Sequence, residues 1–451
     1  MTLADVDRFA REQKRFWFAE IRRAIKIARK RGRVAGGDTL ALVRRRASRL
    51  EHETSRSVRR WVEQSQRSGA RAGRIARERS MNLATAIANL TRKAGRSVWG
   101  WRRPFVRSAR RAERLSEQYA WYRKEWAVER EIARIVEGDD PILFGPWTSE
   151  VGYEALYWVA FTRWVKMTHR LKSERLAVMS RGGVASWYAD VAPRYVEIFD
   201  SVTPEEYARR NAERLSGAGT AKQVGMTPFE AELVERARRQ LGVDRLRVVH
   251  PSLMYHLFRE FWAGHRTLGF VESHAKYARV DVPRQAARAR GLPDDYIAVK
   301  FYAAQSLPDT PENRRMLNRI IDALSEQAPV VLLDTGLVLD EHGDYLFGHS
   351  SRVISARELL KPADNLGVQT EIIAGARGFV GTCGSLAWMA PMLGVNTLAV
   401  MTDARYLHSH LHVARWLYRT LDAGTFSPLD LGAFAQFGLD IGKQLSVGSR
   451  Q

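Results

Sequence analysis

The sequence predicts an α/β protein: two successive units of strand, loop and helix, preceded by a basic, mainly helical N-terminal region. Three observations predict it. Residues 378–402 carry no charge between Arg377 and Asp403, yet glycines at 378, 381, 384 and 394 and Pro391 break the run. That punctuation suits a buried strand, turn, helix and strand better than a lipid-exposed helix. From residue 141 onward, short apolar runs recur, each followed by a turn and a helix-forming segment. Charge divides the chain as well: of 72 Lys and Arg and 50 Asp and Glu, 36 and 14 lie in residues 1–136, leaving 36 of each in the rest. The whole net charge of +22 therefore belongs to an N-terminal arm.

A chain of 451 residues with 45% hydrophobic content can bury a sizeable core, and we divide it into an arm (1–136) and two domains (137–285 and 286–451). The single cysteine, Cys383, excludes an intramolecular disulfide and a cysteine-based zinc cluster and fits a reducing compartment. The opening MTLADVDRFAREQKRF lacks the apolar core of a secretory signal, so a cytoplasmic protein is expected.

The arm has one proline, Pro104, and many Arg, Ala and Glu, which predicts helices broken at Gly32–Gly37 and Gly95–Pro104. Leu3, Val6, Phe9, Phe16, Ile21 and Ile25 recur at mostly helical spacing among arginines, a pattern suited to an anionic membrane surface. Trp99, Trp101, Phe105, Trp121, Tyr122 and Trp126 interleave with further arginines, as side chains at headgroup level or stacked on bases would. Helices packed on one another or on the body, with solvated arginine faces, satisfy the same pattern. The expected partners of the arm are an anionic inner-membrane surface first and nucleic acid second.

In the first domain, Pro141–Phe144 reads as a buried strand, Gly145–Ser149 as a turn and Glu150–Met167 as a helix. Arg175–Met179, Tyr195–Phe199 and Leu246–Val249 add strands, and helices fall near Pro204–Leu215, Pro228–Leu241 and Leu253–Trp262. The second domain opens with the strand Tyr296–Phe301. The helix Glu312–Gln327, the strand Val330–Leu333, the helix Gln369–Ala376 and the uncharged stretch follow. Within that stretch a strand ends at Val380, Gly381–Ser385 turns, Leu386–Leu393 is helical and Thr397–Met401 is the next strand. The polar candidates lie mostly where strands give way to loops, the edge at which open parallel sheets bind ligands.

Gly381, Thr382, Gly384 and Ser385 form a turn between a strand and a helix N-terminus, where free N–H groups and the helix dipole favour phosphate. Lys300 ends a strand and can counter a diphosphate, with Ser306 close behind; a lysine snorkelling at a sheet edge is the alternative. Asp334, Glu371 and Asp403 are candidates for nucleotide or sugar hydroxyls, although Asp334 equally suits a turn. Glu150, in the first turn of its helix, is a candidate general base or a partner of the helix dipole. His408, His410 and His412 alternate at a helix start, a spacing that points them apart rather than at one metal. Cys383 reads as a small buried hydrophobe.

The body resembles the GT-B glycosyltransferases of the heptosyltransferase-like and fucosyltransferase-like superfamily. GFVGTCGSLAWMAPMLGVNTLAV is similar to their C-terminal donor-site segment, and ILFGPWTSEVGYEALYW is placed like the first strand and loop of the heptosyltransferase-like group. The resemblance implies two Rossmann-like domains facing each other across a cleft, with nucleotide-sugar donor in the C-terminal one. It implies Glu150 as base toward an acceptor hydroxyl and the donor diphosphate between Lys300 and the 381–385 turn. Inverting transfer without a metal, no cofactor (the nucleotide-sugar being a co-substrate) and closure of the cleft on donor binding complete the expectation. The paired-arginine fucosyltransferase motif is absent. A nucleotide-sugar epimerase on the same architecture, or a nucleic-acid-binding protein acting through the arm, are the alternatives.

Overall fold

The computed structural model describes residues 121–436 except 219, 221, 338–341 and 422. The expectations for residues 1–120 lie outside them. The first described residues, 121–136, are helical. Val128, Ile132 and Val136 on this helix are buried in the main core, and Glu125 pairs with Arg266 at 2.6 Å. Its outer face leaves Tyr122 and Trp126 more than half exposed.

Two all-parallel sheets follow. The first has the order β3-β2-β1-β4, from β1 (Ile142–Phe144), β2 (Leu176–Ser180), β3 (Arg194–Glu197) and β4 (Arg247–Val249). The second has the order β10-β9-β8-β5-β6-β7, from β5 (Ile297–Lys300), β6 (Val330–Leu332), β7 (Val353–Ser355), β8 (Gly378–Thr382), β9 (Thr397–Met401) and β10 (Phe426–Asp430). The expected pair of Rossmann-like domains is present. β1, β2 and β6 are buried along their whole length, as continuous apolar runs in sheets covered on both faces must be. The two outer strands of the second sheet, β7 and β10, were not expected. β10 contains Pro428, whose missing N–H is tolerated because only β9 pairs with it.

Because side chains alternate across a strand, each sheet feeds two cores. Leu143, Ala177 and Met179 face an outer core with Tyr207, Phe229 and Leu233. Ile297, Val299, Val380 and Val400 face a second outer core with Leu317 and Ile320. Ile142, Phe144 and Val178 of the first sheet and Ala298, Phe379 and Ala399 of the second face one shared central core. Between the sheets lie the helices 151–168, Pro251–Trp262, Asn365–Gly375, Leu386–Met389 and His408–Thr420. Polar bonds pin the two halves: Gly367 N donates to Gly182 O at 2.8 Å and Trp187 Nε1 to Thr370 Oγ1 at 3.0 Å.

The helix expected at Glu150–Met167 is helical from Val151 to Thr168 but π-helical over Glu154–Trp158, with α-helix on both sides. Such insertions recur at functional sites. This one places Glu154 fully buried, under the carboxyl end of β2.

Candidate functional site

The carboxyl ends of both sheets open onto one cavity of about 470 Å³. From the first domain, Glu150, Gly152, Tyr153, Arg181 and Lys222 line it; from the second come Lys300, Ser306, Gly384, Ser385 and His410. The turns meet directly: a Cβ on Gly152 would stand 3.1 Å from the Ser385 amide nitrogen, so a larger residue at 152 would push the two walls apart.

Glu150 occupies the N-cap position with extended backbone and makes no side-chain capping bond. It faces the cavity close enough to Tyr153 that, after burial itself, its charge is the cause holding that phenol well above the ordinary range. The loop before it is fixed from below by Glu230, which is completely buried. Glu230 accepts from Thr148 Oγ1 at 2.9 Å and from Gln223 Nε2 at 2.7 Å, and Arg214 stands 3.4 Å away. Burial alone would raise this carboxyl; the neighbouring His250, the Thr227 N–H and the Thr148 hydroxyl bring it down to about 2.

The 381–385 turn divides into two parts. Thr382 is buried in β8 and clasps the backbone of Tyr302, accepting from its N–H and donating to its C=O, both at 2.9 Å. Gly381 pairs with Lys300 in the sheet, and neither Gly381 nor Thr382 reaches the cavity wall. Gly384 and Ser385 do. Gly384 has φ +148 and lies against the Tyr302 hydroxyl, where no side chain fits. Ser385 has φ 42 and ψ −122, a conformation that L side chains avoid and that persists where the surroundings enforce it. Cys383 is buried, and burial pushes its thiol up.

Lys300 lines the cavity, but its ammonium is engaged by Asp344 Oδ1 at 2.7 Å and Leu333 O at 2.8 Å. The three carboxylates expected at hydroxyl groups are held elsewhere. Asp334 accepts from Ser355 at 2.6 Å and Arg357 at 2.9 Å, Glu371 pairs with Arg290 at 2.7 Å, and Asp403 with Arg405 at 2.6 Å. None of the three lines the cavity. Sequence reasoning missed Arg181, Lys222 and His410 as cavity residues: Arg181 directly follows β2 and so carried the strand-end signal, His410 showed only as one of three alternating histidines, and nothing local marks Lys222. Among the described residues no group of three or more His, Cys, Asp or Glu is placed to hold a metal. Nor is any described helix long and apolar enough to cross a membrane.

No protein-family model matches the chain, and no curated protein matches it. Among solved structures it is similar to the iron-containing dodecameric glycosyltransferase TibC of enterotoxigenic E. coli, at 11% identity over 58% of this chain and 59% of that one, with a TM-score of 0.32. The chain thus spans 59% of that relative's length. It is also similar to a family 9 glycosyl transferase from Veillonella parvula, at 10% identity over 59% and 81% of the two chains, TM-score 0.33. A third similarity is to the ADP-heptose LPS heptosyltransferase II of E. coli, at 12% identity over 58% and 84%, TM-score 0.32. Likenesses this distant say nothing of substrate or reaction.

Proposed function

We propose that the protein is a glycosyltransferase that moves a sugar from a nucleotide-diphosphate donor to an acceptor hydroxyl, without a metal and with inversion. The observation that carries this reading is one cavity in which Glu150, the extended N-cap residue of its helix, shares a wall with the Gly384–Ser385 turn of the other sheet. The turn, together with Lys300 and Ser306, is the donor side; its N–H groups and the ammonium stabilise charge on the departing diphosphate. Glu150 is the general base that takes the acceptor proton. The basic arm holds the enzyme peripherally against an anionic inner membrane, near a lipid-linked or envelope acceptor.

A thermal-shift series of nucleoside diphosphates and their sugars on the full chain tests the donor site, a raised unfolding temperature marking the nucleotide. No shift with any of them removes the reading. Glu150→Gln keeps donor binding and lowers transfer by about 10²–10⁴-fold. Unchanged turnover in that variant retires Glu150 as the base, and epimer formation instead of transfer or donor hydrolysis assigns the site to an epimerase.

A further inference from the structure

The two lysines of the cavity differ in their partners. Lys300 is met by Asp344. Lys222 has its ammonium over two rings, 5.1 Å from the centroid of Tyr153 and 5.5 Å from that of Trp262, and among the described residues no carboxylate pairs with it. Its backbone is nonetheless fixed, because the adjacent Gln223 is buried, accepts from Thr148 N and donates to Pro146 O.

The same Tyr153 ring carries the edge of His410 at 5.1 Å. His410 Nδ1 lies 2.8 Å from the Tyr157 hydroxyl. Burial keeps that phenol protonated, and it has no other acceptor among the described residues, so it donates to Nδ1 and leaves the ring proton on Nε2. Burial first, and the charge of Lys222 second, hold the imidazole down at about 4, so at neutral pH it is an uncharged donor. An ammonium without a carboxylate and an imidazole N–H, flanking one aromatic ring in one cavity, form a binding arrangement for an anionic oxygen.

We propose that Lys222 and His410 form an anion subsite that holds a phosphate or carboxylate of a substrate. The inference rests on the transferase reading only in taking the anion to be a substrate's. Two sources share this chemistry: the donor diphosphate, and a phosphate or carboxylate on the acceptor.

Calorimetric titrations of the full chain at physiological salt separate them. Nucleoside diphosphate is added to the wild type, Lys222→Met and His410→Leu; inorganic phosphate is then added to each, alone and with nucleotide already bound. The basic arm is the same in all three, so differences report the cavity. If the donor diphosphate fills the subsite, both variants weaken the nucleotide by about tenfold or more. If an acceptor anion fills it, both leave the nucleotide unchanged and weaken inorganic phosphate by a similar factor. Equal affinities for both probes in all three proteins overturn the subsite. Should no nucleoside diphosphate bind, the transferase reading fails, while phosphate titrated into the wild type and the variants still decides the subsite. Nitrogen NMR of His410 is the structural control: a neutral ring protonated on Nε2 is expected, and a proton on Nδ1 overturns the assignment.

Discussion

Glu154→Gln perturbs a completely buried carboxyl beneath the carboxyl end of β2. Glu154 Oε1 accepts from Ser180 Oγ at 2.5 Å and Tyr188 OH at 2.7 Å, while Oε2 is buried without a partner. Burial is the largest influence and raises its pKa from 4.5 to about 7, against the opposing pull of Arg181 and the two hydroxyls. In the unfolded chain the same carboxyl ionises near its ordinary value. As pH rises through that value the unfolded state loses its proton while the folded state keeps it, so stability falls until about pH 7 and is level above. A difference of this size is worth about 3 kcal/mol across the window. Glutamine keeps one acceptor for Ser180 and Tyr188 and places an unbonded NH₂ where Oε2 was, a cost of about 1–3 kcal/mol that does not depend on pH. Urea unfolding of both proteins between pH 4.5 and 7.5 is the assay. Relative to the wild type, the variant gains about 3 kcal/mol over that range. Parallel stability curves refute the reasoning.

Three further expectations concern the turn and its supports. Ser385→Gly relieves a backbone held at φ 42 and raises stability by about 1–3 kcal/mol in denaturant unfolding, with weaker donor binding if the hydroxyl serves the ligand. Gly384→Ala forces a methyl onto the Tyr302 hydroxyl at φ +148 and lowers stability by about 1–3 kcal/mol, with loss of nucleotide binding by calorimetry. Glu230→Ala strands Arg214, Thr148 and Gln223 under the loop that carries Glu150, which costs about 3–5 kcal/mol in thermal or urea unfolding.

The fold was legible where local composition and tertiary fate coincide. ILF, LAVMS and IAVK are apolar because both faces of a parallel sheet are covered, and each run read as a strand. The edge strands β7 and β10 escaped because VIS and FSPLD are part polar and one contains proline. In the site, Glu150, Lys300, Ser306, Gly384 and Ser385 were visible as residues at strand ends. Pairing was not. Whether Asp334 or Glu371 faces a ligand depends on Arg357 and Arg290, and Asp403 is turned toward Arg405 by a backbone course no spacing shows. His410 was visible only as one of three alternating histidines, and its distinction comes from Tyr157, 253 positions away.

The central core has a consequence for how the molecule comes apart. Strands from both sheets bury side chains against one set of helices, so neither half carries a complete apolar interior. Cutting the chain near residue 285 would leave each fragment with an uncovered sheet face, and the two sheets should melt in a single transition rather than as independent domains. The same continuity makes a wide opening of the two halves costly, because swinging them apart would hydrate that interior. For the transferase proposed above, the expectation is then a cleft that stands open before donor arrives, with any movement on binding confined to its rim loops.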